Sequence, residues 1–323
     1  MICARTNRIL RAISFGMWAM LLVFAFAMRP AHAQNGMETP ALDRAQQLSQ
    51  GGLQSEAERL LLDSLRKDPQ SQRAHVLLGL VRYREGHPDR SLDEYSAARK
   101  LGPLNADDFR IVGLDYVQLH DLPSAERWLH KSIDLVADDW RTWRYLGGVQ
   151  YSEEHPADAT DSFEQCLRLD PENALAEDGL ARSHEAMGET TKAGEEHRLA
   201  VEYNARSASP SALPLLHYGS YLRNTTAGLP QAIACLKQAV KLNGNDWEAH
   251  SELGQAYRDA GQLALAEQQI RTAISLAPDH PRLHFILARI YQREAEKDKA
   301  AAEIKLYKAI AAKDSANREL LDK

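Results

Sequence analysis

The sequence predicts an all-α solenoid of about eight helix-turn-helix repeats. Three observations predict this fold class. One period of 34 residues recurs along nearly the whole chain, small residues occupy the same two places in every unit, and apolar residues recur at helical spacing on both sides of a short turn. A solenoid grows by adding units, so the length of 323 residues does not require two globular domains.

The N-terminal segment stands apart from the repeats. Arg5, Arg8 and Arg11 precede an apolar run over residues 12–28, and Ala31-His32-Ala33 has the small-x-small pattern of a cleavage site. Residues 1–33 are therefore predicted to be a secretory signal peptide. Since the apolar run is at the lower limit for crossing a bilayer, an uncleaved anchor is the alternative. After cleavage we expect a periplasmic or secreted protein without a membrane span.

The repeats give the predicted domain organisation. A short segment, 34–37, precedes a solenoid over residues 38–314, and residues 315–323 form a capping tail. The units are predicted to begin near Glu38, Gln72, Ala106, Trp140, Ala174, Leu213, Trp247 and Pro281.

Small residues at fixed positions predict close helix packing. The eighth position of each unit holds Ala45, Gly79, Gly113, Gly147, Ala181, Gly219, Gly254 and Ala288. The twentieth holds Ala57, Ser91, Ala125, Ala159, Ala193, Ala232, Ala266 and Ala300. Large side chains fill the twenty-fourth position in six units: Tyr95, Leu129, Phe163, Leu236, Ile270 and Ile304. We expect the small residues to let two helices approach while the large ones fill the space beside them.

This pattern resembles the tetratricopeptide repeat family over about residues 38–314. The resemblance implies a right-handed superhelix in which first helices line a concave groove and second helices form the convex back. It also implies a scaffold or peptide-binding role without catalytic apparatus. No catalytic motif stands out in the sequence, so we expect a protein that is not an enzyme and needs no cofactor. His280 and His284 have a spacing that suits a metal, but without a third ligand we interpret them as a solvated pair.

The fifth repeat departs from the pattern. Glu177 replaces a bulky apolar residue, and His184 and His197 stand where aromatic or aliphatic residues are usual. A small-polar stretch, 205–214, then delays the next unit to 39 residues after the start of the fifth. This insertion is interpreted as a tolerated loop, with a hinge as the alternative. An acid–base cluster around His184, Glu185 and His197 would be needed for an enzymatic role.

The resemblance also implies which residues face the groove, namely positions 2, 5, 9, 12 and 13 of each unit. Arginine dominates these positions and two tyrosines accompany it. The candidate binding residues are Arg73, Tyr83, Arg84, Arg110, Arg141, Arg144, Tyr151, Arg182, Arg223, Arg258, Arg282, Arg289 and Arg293. Five acids share those positions: Asp107, Asp178, Glu185, Glu248 and Asp259.

Arginine-rich groove positions favour a partly acidic protein or peptide partner, because the guanidinium group can donate two parallel hydrogen bonds to a carboxylate. An ordinary solvated helix face is the alternative interpretation. The net charge of −6 argues against nucleic acid as a partner. The sequence therefore predicts a non-enzymatic scaffold that binds a segment of another exported protein, with envelope complex assembly as its setting. A self-assembling structural protein and an accessory subunit of an enzyme complex are the alternatives.

Overall fold

A computed structural model describes residues 35–225 and 227–321. The predicted signal peptide, 1–33, lies outside the described residues. Within them, no helix combines the length and apolar character needed to cross a membrane.

The described residues form sixteen helices, and these make eight antiparallel pairs. The helices are α1 Asn35–Gln50, α2 Gln54–Lys67, α3 Gln72–Arg84, α4 Pro88–Leu101, α5 Ala106–Gln118, α6 Leu122–Leu135, α7 Trp140–Ser152, α8 Pro156–Leu169, α9 Ala174–Ala186, α10 Thr190–Arg206, α11 Leu213–Arg223, α12 Leu229–Leu242, α13 Trp247–Asp259, α14 Leu263–Leu276, α15 Pro281–Arg293 and α16 Lys297–Leu321.

The predicted all-α repeat fold is confirmed. Seven of the eight first helices begin at the residue that the periodicity predicts, from Gln72 of α3 to Pro281 of α15. The first repeat differs, because α1 begins at Asn35 and not at Glu38. Polar caps explain several of the helix starts. The side chains of Ser71, Asn105 and Asp139 accept hydrogen bonds from the first-turn N–H groups of α3, α5 and α7.

The helices cluster into two compact units, and the boundary falls between Leu104 and Asn105. Unit 1 contains α1–α4, with a core around Leu61 and Leu78. Unit 2 contains α5–α16, and its largest apolar cluster lies in α11–α16 around Leu236, Ile270 and Leu287.

The small and large positions of each repeat meet as predicted. A Cβ atom added to Gly79 would lie 2.8 Å from the ring of Tyr95, and one added to Gly254 would lie 2.6 Å from Ile270. These distances are far below van der Waals contact. The eighth position therefore carries glycine in these repeats because the side chain at the twenty-fourth occupies the space.

The insertion after the fifth repeat lies between α10, which ends at Arg206, and α11, which begins at Leu213. The buried side chain of Asn204 closes it. Its Nδ2 donates to the carbonyl oxygen of Ser211 at 2.8 Å, and its Oδ1 accepts from the N–H of Ser211 at 2.8 Å. The proposed hinge stays a prediction.

The two cysteines of the described residues, Cys166 and Cys235, are buried and free. Burial raises the pKa of the Cys166 thiol to about 12. Both are therefore small buried core residues.

Candidate functional site

An open cleft in unit 2 lies between the first helices of the third to sixth repeats. Its floor is apolar and is lined by Leu114, Val117, Leu122, Phe163, Leu175 and Leu213. Two of the predicted groove residues, Arg144 of α7 and Arg182 of α9, line the same cleft. The tertiary structure thus combines apolar surface with cationic groups at one place.

Both arginines stack on tyrosine rings. The guanidinium carbon of Arg144 lies 4.3 Å from the ring centre of Tyr145, and that of Arg182 lies 4.3 Å from the ring centre of Tyr151. Among residues 40–225 and 227–313, whose side chains the structure describes, neither arginine has a carboxylate partner or a hydrogen bond. Stacking fixes the guanidinium plane through its face and leaves the N–H groups at its edge for another acceptor.

The arginines on the two flanking first helices are neutralised within the fold. Arg110 of α5 forms ion pairs with Asp107 at 2.6 Å and with Asp139. Arg223 of α11 lies 3.2 Å from Glu252 and 3.3 Å from Asp259. The positive charge of the cleft therefore resides on Arg144 and Arg182, and not evenly on every predicted arginine.

The remaining candidates of unit 2 lie apart from this cleft. Arg141 is exposed and stacks on Trp140 at 4.6 Å. Arg258 pairs with Asp259 at 2.8 Å, and Arg293 donates to the carbonyl oxygen of Arg258 at 2.5 Å. Exposed residues of α15 complete the set: Arg282 and Arg289.

Three candidates belong to unit 1. Arg73 pairs with Asp43 at 2.5 Å, and Arg84 donates to the Ser49 hydroxyl oxygen at 2.8 Å. Tyr83 is half-buried. Arg73 and Arg84 are thus engaged within unit 1.

A buried polar cluster of the fifth and sixth repeats adjoins the cleft. Asp178 and His217 both line it, and the imidazole Nδ1 of His217 lies 2.7 Å from Asp178 Oδ2. His197, which is fully buried, lies 3.7 Å from Asp178, an ion-pair distance too long for a hydrogen bond. Burial would raise the pKa of Asp178, but the two imidazoles outweigh burial and hold the pKa at about 2. This carboxylate is therefore ionised and internally paired.

His197 is held between two carboxylates. Burial alone would lower its pKa, but Asp178 and Glu185, the latter 3.5 Å away, raise it above 6.5. A second buried pair forms nearby, where His184 lies 2.6 Å from Glu196. The unusual residues of the fifth repeat thus replace an apolar core by buried polar side chains that contact one another.

The interpretation of His280 and His284 as a solvated pair is wrong. His284 is buried and its Nδ1 lies 2.7 Å from Glu303. His280 directly precedes α15 and packs against the ring of Trp247, with ring centres 4.3 Å apart. The pair looked solvated because the sequence does not show the second helix that covers one side of α15.

Sequence reasoning missed four residues that shape the cleft. Asp139 and Glu252 stand at other repeat positions than those assigned to the groove, yet they neutralise groove arginines. Tyr145 supports Arg144, and Gly148 lines the floor without a side chain. Only Asp139 had a sequence indication, as a helix cap three residues before Thr142.

Comparison with known families bears on the repeats themselves. The profile of the tetratricopeptide repeat matches residues 42–106, 227–281 and 251–317. The chain is a tetratricopeptide repeat protein. A comparison with curated protein sequences found no match.

Solved structures similar to this tetratricopeptide repeat protein share its fold at low identity. The APC/C hetero-tetramer Cut9-Hcn1 gives a TM-score of 0.64 at 18% identity, covering 91% of this chain and 57% of that chain. A tetratricopeptide repeat protein from Parabacteroides merdae gives 0.63 at 13% identity, covering 78% and 98%. Pseudomonas aeruginosa pilF gives 0.54 at 23% identity, covering 66% and 94%. The chain thus spans little more than half of the first of these structures.

The family places this chain in a broad functional class. Tetratricopeptide repeat proteins are in general non-catalytic scaffolds that bind proteins or peptides. The cleft of unit 2 contains arginine and aromatic residues, the types that are enriched in binding hot spots.

Proposed function

We propose that this protein is an exported, non-enzymatic scaffold that holds a partly acidic segment of another exported protein in the cleft between α5, α7, α9 and α11. Assembly of an envelope complex is the proposed setting. The observation that carries the proposal is the pair Arg144 and Arg182, stacked on tyrosines beside an apolar floor and without carboxylate partners among the described residues.

The chemistry of this cleft favours a carboxylate neighboured by an apolar side chain. A guanidinium group held by stacking loses little conformational freedom when it binds, so most of the charge-assisted hydrogen bond is retained as affinity. Apolar side chains that enter the floor contribute roughly 25 cal/mol for each Å² removed from water. The ion pairs alone do not suffice for tight binding, because exposed ion pairs contribute about 1 kcal/mol or less. Apolar contacts with the floor must add to them.

Electrostatics supply the selectivity. The chain carries a net charge of −6, so an acidic partner is repelled by most of its surface and attracted at Arg144 and Arg182. Binding should therefore weaken as salt is added.

Export is part of the proposal and rests on the sequence of residues 1–33. Fractionation of cells that express the full chain, followed by N-terminal sequencing, tests it. We expect a periplasmic or secreted protein that begins at Gln34. A membrane-bound protein that keeps Met1 would support the uncleaved anchor, and a cytosolic one would overturn export.

Selection from a displayed library of random peptides tests the binding chemistry. The mature protein is the target, and a variant with Arg144→Glu and Arg182→Glu serves for counter-selection. We expect the wild type to enrich peptides that combine Asp or Glu with apolar residues. The double variant should lose them.

A matched control reverses the same number of charges outside the cleft. Arg168 of α8 and Arg198 of α10 are exposed and do not line it, so Arg168→Glu with Arg198→Glu should enrich the wild-type peptides. No enrichment, enrichment without acidic residues, or equal retention by the cleft variant would each overturn the proposed function.

A further inference from the structure

Gly148 is an exposed glycine in the interior of α7, and helix packing does not explain it. A Cβ atom added at this position would meet no atom within 4 Å. At the neighbouring Gly147 an added Cβ would lie 2.9 Å from the ring of Phe163. Glycine inside a helix is less favourable than alanine because its unfolded backbone has more freedom to lose. Glycine at residue 148 therefore lowers the stability of α7, and no close packing contact requires it.

The missing side chain leaves a slot in the cleft. Arg144, Gly148 and Ser152 follow one another at intervals of four residues, so they share the face of α7 that lines the cleft. The same repeat position carries Leu114 in the preceding unit and Arg182 in the following one, and both side chains line the cleft. Between them the helix backbone of α7 is bare.

Arg144 borders this slot from α7 and Arg182 borders the cleft from α9. Both guanidinium groups stack on tyrosines and are without an acceptor among the described residues, whereas Arg110 and Arg223 on the flanking helices are paired with acids. Asp178 also lines the cleft, but its carboxylate lies against His197 and His217 within the fold. The uncompensated charge beside the slot is therefore positive.

We propose that the slot at Gly148 admits the main chain of an extended acidic segment, with one carboxylate bound by Arg144 and Arg182. This inference rests on the proposed function and specifies the conformation of its ligand. The absence of a side chain at Gly148 matters for binding only if the main chain of the ligand approaches the backbone of α7 closely. A helix keeps its axis about 5 Å or more from a surface through its own side chains.

An extended segment also fits the two chemistries of the cleft. Successive side chains of an extended chain point to opposite sides. A carboxylate can then face the two arginines while the next residue faces the apolar floor at Leu114, Val117 and Leu175. The expected ligand sequence alternates an acidic with an apolar residue, and a small residue sits over Gly148.

Substitutions at Gly148 test the slot with an acidic peptide enriched by the wild type, whose affinity is measured by fluorescence anisotropy. Leucine is compatible with this position, since Leu114 occupies it in the preceding repeat. We expect Gly148→Leu to weaken binding about tenfold or more, because bulk in a binding slot excludes the ligand. Gly148→Ala should weaken it less. Thermal unfolding should show both variants at least as stable as the wild type.

Bulk outside the cleft provides the control. Ala157 is exposed on α8, and Ala157→Leu should leave the affinity unchanged. If Gly148→Leu binds as the wild type does while Arg144→Glu with Arg182→Glu abolishes binding, the slot is overturned and the proposed function stands. If neither change affects binding, both fail.

Binding of the same peptide stapled as a helix tests the conformation of the bound ligand. We expect the stapled peptide to bind more weakly than the flexible one. Tighter binding of the stapled form would overturn the extended ligand in favour of a helical segment.

Discussion

Gly147 lies directly against the ring of Phe163, so close that a Cβ atom at residue 147 would be 2.9 Å from two ring carbons. Leu146, Gly147 and Phe163 are all buried, and the contact joins α7 to α8 within the fourth repeat. The next glycine along the chain, Gly148, faces open space. Of these two adjacent glycines, Gly147 is required by a close contact and Gly148 is not. Stability measurements on substituted variants can distinguish the two cases.

Gly147→Leu should destabilise unit 2 by several kcal/mol. The new side chain has no room beside Phe163, and overpacking of a buried contact costs about 1–3 kcal/mol or more. Gly148→Ala is the matched control and should stabilise by roughly 0.5–1 kcal/mol through helix propensity alone. Urea unfolding followed by circular dichroism measures both. A neutral Gly147→Leu would mean that the repeat register is wrong.

Glu177→Gln should stabilise the protein at pH 8 and not at pH 4. Burial first, and then the nearby charge of Glu196, raise the pKa of Glu177 to about 7. Since the folded state holds this proton more tightly than the unfolded state, stability is lost as pH rises from 4.5 to about 7. Allowing for solvent screening, the gain above pH 7 should be about 1–2 kcal/mol.

The control for this measurement is Glu195→Gln on α10. Glu195 is exposed, so the change should alter stability by about 0.5 kcal/mol or less at either pH. A gain from Glu177→Gln that persists at pH 4 would show that its origin is not the ionised carboxylate.

Asp139→Ala should destabilise α7 and release Arg110. The Asp139 carboxylate caps α7, accepts a hydrogen bond from Thr142 Oγ1 at 2.8 Å and pairs with Arg110. Loss of such a cap costs about 1–2 kcal/mol. Asp139→Asn keeps a capping side chain without its charge and should cost less.

Acid titration separates the two roles of Asp139. Although burial alone would raise its pKa, hydrogen bonding by Thr142 and the charge of Arg110 lower it below 3.8. Its stabilising contribution is therefore present above pH 3.8 and is lost as pH falls through the folded-state pKa. The wild type should lose this advantage over Asp139→Asn in acid. A constant difference between the two at every pH would contradict the ion pair.

Asn204→Ala should loosen the insertion between α10 and α11. The side chain makes two hydrogen bonds to Ser211, and their loss leaves partly buried backbone groups unpaired at a cost of about 1–3 kcal/mol. We expect faster amide hydrogen exchange over residues 207–216 and unchanged exchange in α5–α8. Uniformly faster exchange throughout unit 2 would argue against a hinge at this place.

The repeat register was predictable because the contacts that define it are local. Gly147 and Phe163 are 16 residues apart within one repeat, and the same pairing recurs in the other units as Gly79 with Tyr95 and Gly254 with Ile270. Because this contact recurs in several repeats, the residue types that form it recur in the sequence every 34 residues or so. The start of α1 was not predicted to the residue, since no preceding repeat limits it.

The cleft was predictable only in part. The arginine-rich face was expected from the positions that the family resemblance assigns to the groove. The sequence did not predict which of these arginines lack an acidic partner, because the partners lie in other repeats. Arg110 and Asp139 are 29 residues apart, and Arg223 and Glu252 are also 29 apart. These acids hold positions 34 and 6 of their repeats, so no periodic rule assigned them to the groove.

The sequence by itself determined the all-α repeat fold, the starts of seven first helices and the arginine-rich character of the first helices, because each follows from patterns within one 34-residue unit. Only the tertiary structure decided that Arg144 and Arg182 keep their charge uncompensated, that His284 is buried, and that Gly148 faces an open slot. The physical reason is that charge pairing, burial and empty space depend on side chains from neighbouring repeats, and a repeat pattern does not record which of them meet.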